Sequence, residues 1–230
     1  MHWLIDFDDT LVNGPITYAL QEVFPKFIRE HGLPFDVDHF MQVVLQCQEI
    51  ASQTGNDAVI LQELFKAMNW SQDLQNTLLQ DVFDHYMPTL FEDAVPFLER
   101  LKQEGHTLYI FSNNKHAGDL ASQMNLAPYF DDVFTPKSCD VARGKPHLEM
   151  WDVLLQRGLF GDLREVTIIG DDPWSEGLFS ERCGIQCWIL DRMQRFSALY
   201  GSKPYRWAAN LDEVHVSSLT TSHIIRRGGL

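Results

Sequence analysis

Four short runs along the chain are almost continuously apolar: His2–Phe7, Thr107–Phe111, Val166–Ile169 and Gln186–Leu190. A strand with one face in water alternates apolar and polar residues, whereas a strand covered on both faces does not, so these runs read as buried strands of a parallel sheet. Asp132–Thr135 is a weaker fifth. Between the runs, apolar residues recur three and four positions apart, as in Ala94, Phe97, Leu98 and Leu101, and again in Leu148, Trp151, Leu154 and Leu155. That spacing places them on one stripe of a helix. Strands alternating with amphipathic helices predict an α/β fold with a doubly wound, Rossmann-like parallel sheet.

Residues 15–89 break this alternation, because no strand candidate occurs there and four helical periodicities follow one another. The first carries Leu20, Val23, Phe24, Phe27 and Ile28, with Pro25 placed to kink it. The second carries Phe40, Val43, Val44, Cys47 and Ile50. The third begins near Asn56 with Ile60, Leu61, Leu64 and Phe65, and the fourth near Ser71 with Leu74, Leu78, Val82 and Phe83. The chain therefore divides into a Rossmann-like core of residues 1–14 and 90–216, a helical block of residues 15–89 inserted after the first strand, and a polar tail of residues 217–230 that is expected to fray.

The residues capable of chemistry gather at the strand ends. Asp6-Phe7-Asp8-Asp9-Thr10-Leu11 closes the first run, and in extended chain Asp6 and Asp8 project to one side. Ser112-Asn113 follows the second strand and offers a hydroxyl and an amide as hydrogen-bond donors to a phosphoryl oxygen. Gly144-Lys145-Pro146 precedes the helix containing Trp151, so the lysine can reach back towards the strand ends. Gly170-Asp171-Asp172-Pro173-Trp174-Ser175-Glu176 follows the strand Val166–Ile169. Clustered carboxylates repel one another unless a cation neutralises them, and an all-oxygen set suits a hard ion, of which magnesium is the usual partner of phosphate substrates.

Taken as an ordered set, these four segments resemble the haloacid dehalogenase-like hydrolase superfamily over about residues 1–190. The resemblance implies that Asp6 is the nucleophile and Asp8 the general acid and base. It implies that Thr10 helps fix the loop, and that Thr10, Ser112, Asn113 and Lys145 serve the phosphoryl group. The metal, magnesium, would be held by Asp6, the backbone carbonyl of Asp8, and Asp171 with Asp172 or Glu176. The helical block resembles the superfamily's cap. The activity implied is hydrolysis of a small-molecule phosphomonoester through an aspartyl-phosphate. The alternatives are a 2-haloacid dehalogenase, a phosphomutase and a non-catalytic binding module.

Charge narrows the choice of partner. The formal net charge of −14 opposes broad nucleic-acid or anionic-membrane binding. Lys26, Arg29 and Lys66 are the basic residues of the helical block, too few for a dedicated clamp on a second phosphate. The four scattered cysteines read as reduced structural thiols, and no apolar run approaches a membrane span or a signal peptide, so a cytoplasmic location is expected.

Overall fold

The computed structural model describes residues 1–54, 58–194, 196–197 and 201–215. Its sheet has six strands: β1 (His2–Ile5), β2 (Thr107–Phe111), β3 (Asp132–Phe134), β4 (Val166–Gly170), β5 (Gln186–Leu190) and β6 (Arg206–Ala208). They lie in the order β3-β2-β1-β4-β5-β6, and every neighbouring pair is parallel. The expected α/β class is therefore present, with one strand more than the apolar runs indicate. β1 ends at Ile5, before the end of its apolar run, although the Asp6 amide still donates to the Ile169 carbonyl at 2.9 Å.

Among the described residues of the inserted region, five helices follow β1: α1 (Pro15–Tyr18), α2 (Phe24–His31), α3 (Val37–Thr54), α4 (Ala58–Ala67) and α5 (Gln72–His85). Pro25, placed to kink the first of the expected helices, follows a change of helical register. A π turn, Ala19–Val23, joins α1 to α2, and Pro25 then falls in the first turn of α2, where a missing N–H costs little. Gly32, with φ of 58°, ends α2 in the left-handed conformation. The Ser71 hydroxyl accepts from the Leu74 amide and caps α5 at the expected place. These helices enclose a core of their own around Phe24, Phe27, Phe40, Leu64, Phe65 and Trp70. The segments entering and leaving the block run side by side: the Asn13 amide donates to the Thr89 carbonyl at 3.0 Å, and Val12 pairs with Leu90 in an antiparallel bridge. Asn56, where the third periodicity begins, the side chain of Phe83 and the tail 217–230 lie outside the described residues.

The remaining helices cover the sheet: α6 (Ala94–Gln103), α7 (Ala117–Gln123), α8 (Pro136–Cys139), α9 (Glu149–Gln156) and α10 (Leu178–Cys183). Alternation along β1 sorts the two faces. Trp3 and Ile5 pack with Phe97, Leu98 and Leu101 of α6, while Leu4 packs with Met150, Trp151 and Leu154 of α9 and Phe179 of α10. Each such side chain fully buried contributes about 1.5–3 kcal/mol. Leu155, counted with the apolar stripe of α9, is 43% exposed and sits at its edge. No helix among the described residues is long and apolar enough to cross a membrane.

Candidate active site

In sequence order the winding goes from β1 to β2 and β3 on one side, then crosses to β4, β5 and β6 on the other. This reversal opens a crevice at the carboxyl end of β1. Register does the rest: Ile5 is level with Ile110 of β2 and with Ile169 of β4, so Asp6, Ser112 and Asp171, all just beyond the strand ends, converge. They line a cavity of about 120 Å³ together with Asp8, Lys145 and Glu176.

At its centre is a buried lysine shared by two acids. Lys145 Nζ lies 2.7 Å from Asp6 Oδ1 and 2.5 Å from Glu176 Oε1. Burial alone would lower the lysine's pKa, and the two carboxylates more than reverse that, so Lys145 is a fixed cation. One positive charge cannot neutralise both acids. The Asp6 carboxyl is accordingly pushed up to about 6, chiefly by burial, with Lys145 pulling it down and Glu176 pushing it up. Asp171 adds a third carboxylate, and ligand oxygens of Asp6, Asp171 and Glu176 all lie within 4.8 Å of one another. A compact, all-oxygen, net-negative set of this kind fits a hard divalent cation.

Local structure fixes each of these groups. Asn113 accepts from the Lys145 amide at 2.7 Å and donates to the Lys145 carbonyl at 2.9 Å, which aims the lysine from its backbone. Gly144 permits this, because a Cβ there would run into Asn113 Oδ1. Glu176 stands on a π turn, Pro173–Gly177, and accepts from the Asp172 amide and the Ser175 hydroxyl, both at 3.1 Å. Gly170 leaves the space that the Glu176 side chain fills. Asp172 caps this turn, its Oδ1 accepting from the Trp174 amide at 2.7 Å, and the Trp174 ring packs edge-on against Phe196. Of the two acids left open beside Asp171, Glu176 therefore lies in the oxygen cluster, and Asp172 also lines the cavity.

Asp8 reaches the cavity from the loop after β1, and its Oδ2 accepts from the Asn114 side chain at 2.8 Å. Asn114 is a residue that the sequence did not single out. The Asn114 amide donates in turn to Ser112 Oγ at 3.2 Å, so one asparagine ties the second segment to the first. Asp9, with φ of 56°, accepts from the Gly14 amide and the Thr17 hydroxyl, both at 2.8 Å, and so holds the start of α1 against the loop. Two further residues are expected to serve the phosphoryl group. Asn113 lines the cavity but spends its amide on Lys145, and Thr10 is fully buried outside the cavity lining, with no hydrogen-bond partner for its hydroxyl among the described residues. The Thr10 carbonyl accepts from Arg192 at 3.0 Å.

A carboxylate at a strand end, a lysine held on it and an acid cluster beside it thus stand together where the four sequence segments meet. Residues 3–184 match the family described as haloacid dehalogenase-like hydrolase, and the chain belongs to that family. Among solved structures it is similar in fold to YfnB from Bacillus subtilis, described as a HAD-hydrolase bound to magnesium and revealing interdomain movement, with 18% identity and a TM-score of 0.64 over 92% of this chain and 95% of that one. It is similar to a HAD phosphatase from Thermococcus onnurineus, with 19% identity and a TM-score of 0.56 over 92% and 94%. It is also similar to a 2-haloacid dehalogenase from Pseudomonas syringae pv. Tomato DC3000, with 20% identity and a TM-score of 0.53 over 91% and 94%. No curated protein matches the chain by sequence.

Proposed function

We propose that this hydrolase is a magnesium-dependent phosphatase that cleaves a small-molecule phosphomonoester through an aspartyl-phosphate on Asp6. The observation that carries the reading is the approach of Asp6, Asp171 and Glu176 to within 4.8 Å around a single lysine. A dehalogenase acting through a carboxylate nucleophile alone has no use for this excess of negative oxygen, whereas a phosphatase needs a cation between its nucleophile and a phosphate dianion. Magnesium held by Asp6, Asp171 and Glu176, with Asp172 and the Asp8 backbone at hand, would supply that neutralisation.

The protein's own groups account for the remaining steps. Asp6 attacks phosphorus, and its bond forms as the ester oxygen leaves. Asp8, oriented by Asn114, gives that oxygen a proton, and afterwards takes one from the water that hydrolyses the aspartyl-phosphate. Lys145 and Ser112 oppose the charge on the transferring group. In this reading the helical block acts as a cap: Ile16 from α1 and Ile60 from α4 line the cavity together with the carboxylates, and a cap over such a site limits water and bears on substrate choice.

Turnover of 4-nitrophenyl phosphate with and without magnesium tests the reading. Hydrolysis is expected to require the ion, and Asp6→Asn should fall to background. Undiminished turnover in that variant or in excess chelator would remove the mechanism.

A further inference from the structure

The acids of the site are fixed to different degrees. Asp171 stands directly after β4, so strand register sets its place, whereas Glu176 comes later, on the π turn Pro173–Gly177. Glu176 takes hydrogen bonds from the Asp172 amide and the Ser175 hydroxyl, and the first caps that turn while the second belongs to it. Such bonds orient the carboxylate within the turn, but they travel with it and cannot set its distance from Asp6. Lys145 draws Glu176 towards the site, so its resting place also depends on what stands behind the turn.

Behind it stands Tyr205, a buried residue of the segment leading into β6. The edge of its ring lies against the Cα of Gly177, where a Cβ would stand 2.6 Å from Tyr205 Cζ and 2.7 Å from Cε2. The ring is itself anchored. Its hydroxyl donates to Glu181 Oε1 at 2.6 Å, Lys203 reaches the same oxygen at 3.3 Å, and Trp207 packs beside it with ring centroids 6.1 Å apart. Gly177 and Glu181 are one helical turn apart on the same face of α10, so one tyrosine spans the end of the π turn and the helix that continues it. The Ser180 hydroxyl closes the join by donating to the Gly177 carbonyl at 2.7 Å.

We infer that Tyr205 is a positioning residue for the acid cluster, holding Glu176 at its distance from Asp6 and Asp171 by backing Gly177. The inference rests on the reading of these acids as magnesium ligands. Magnesium accepts oxygens at about 2.0–2.1 Å in near-octahedral geometry, so a turn free to drift by a fraction of an ångström loses affinity. Gly177 is the complement of Tyr205, because any side chain there would drive the turn off the ring.

Manganese, which accepts the same oxygen ligands, serves as the probe. Free ion is counted by electron paramagnetic resonance during titration of the unmodified protein and of variants shown to be folded by circular dichroism. Tyr205→Ala and Gly177→Ala should each weaken binding by about tenfold or more, as is usual when a group that orients a metal ligand is disturbed. Tyr205→Phe keeps the ring edge and should bind as the unmodified protein does. Adding Gly177→Ala to Tyr205→Ala should cost nothing further, because the obstacle to the new methyl group is gone. Native affinity in Tyr205→Ala, or losses that simply add in the double variant, overturns the inference and leaves the metal reading standing. Tyr205→Phe as weak as Tyr205→Ala overturns it too, since the bond to Glu181 would then matter and not the ring at Gly177. If Tyr205→Ala does not fold, Gly177→Ala decides: a loss supports the inference and native affinity overturns it. Absence of manganese binding by the unmodified protein removes the metal reading and this inference together.

Discussion

Asn113 and Asn114 are chemically identical neighbours with separate tasks. Asn113 grips the Lys145 backbone, and Asn114 grips the Asp8 carboxylate. The acids Asp6, Asp8 and Asp171 are legible in the sequence because each stands at or just after the end of an apolar run, and strand ends are where such folds place ligands. Asn114 is not legible in that way, since its partner lies 106 residues away and meets it only when β2 docks beside β1. Its removal has a specific expected signature. A hydrogen bond to a charged group is worth about 1.5–3 kcal/mol, so Asn114→Ala should lower kcat on an alkyl phosphate by about ten- to a hundredfold. The loss should be much smaller in the pre-steady-state burst of 4-nitrophenol from 4-nitrophenyl phosphate, whose leaving group needs no proton, because hydrolysis of the aspartyl-phosphate is common to both substrates. A burst slowed as much as turnover of the alkyl phosphate would assign Asn114 a general structural role instead of the positioning of Asp8.

At the scale of elements, the sheet strands and the stripe of α6 follow directly from apolar periodicity, because burial on two faces or one leaves an unmistakable pattern. β6 does not, since Arg206-Trp207-Ala208 has only three residues and forms by adding its backbone to the edge of β5. The course of the chain through Pro25 is equally hidden, as a π turn is a register choice made by packing. The clamp between Arg192 and Asp93 belongs to this scale as well. It joins the segment after β5 to the start of α6, and Asp93 also accepts from the Leu211 amide at 2.7 Å. Burial would raise the Asp93 carboxyl, but the bonds from Arg192 and Leu211 outweigh it and hold the group below the usual carboxylate range. A folded pKa below the unfolded one gives stability that is present above the unfolded value and lost as pH falls through the folded value. Asp93→Asn should therefore cost about 1.5–3 kcal/mol in urea unfolding near pH 7. The gap from the unmodified protein should close as pH drops below about 4, the ordinary range of an aspartate. A gap that persisted unchanged into acid would mean that packing, and not the charged pair, holds these elements together.

At the scale of the whole molecule, the proposed phosphatase reading asks an enzyme with a formal charge of −14 to draw in a phosphate dianion. A magnesium ion held as proposed would offset repulsion at contact, but it would not offset the field that the substrate crosses on approach, which depends on the summed surface charge. That field is subject to screening. Raising monovalent salt from about 0.01 to about 0.15 M shortens the Debye length from about 30 Å to about 8 Å, well within the dimensions of a protein this size. At constant magnesium, kcat/KM for a dianionic ester should therefore rise by about two- to fivefold over this range, with most of the change in KM, because the chemical step takes place inside a buried cavity that salt barely reaches. A basic phosphate-binding enzyme would show the opposite trend, since salt would weaken its attraction. A steady fall in kcat/KM with salt, measured with the metal site saturated throughout, would mean that the bound cation and Lys145 set the field at the cavity mouth and that the acidic surface plays no part in substrate capture.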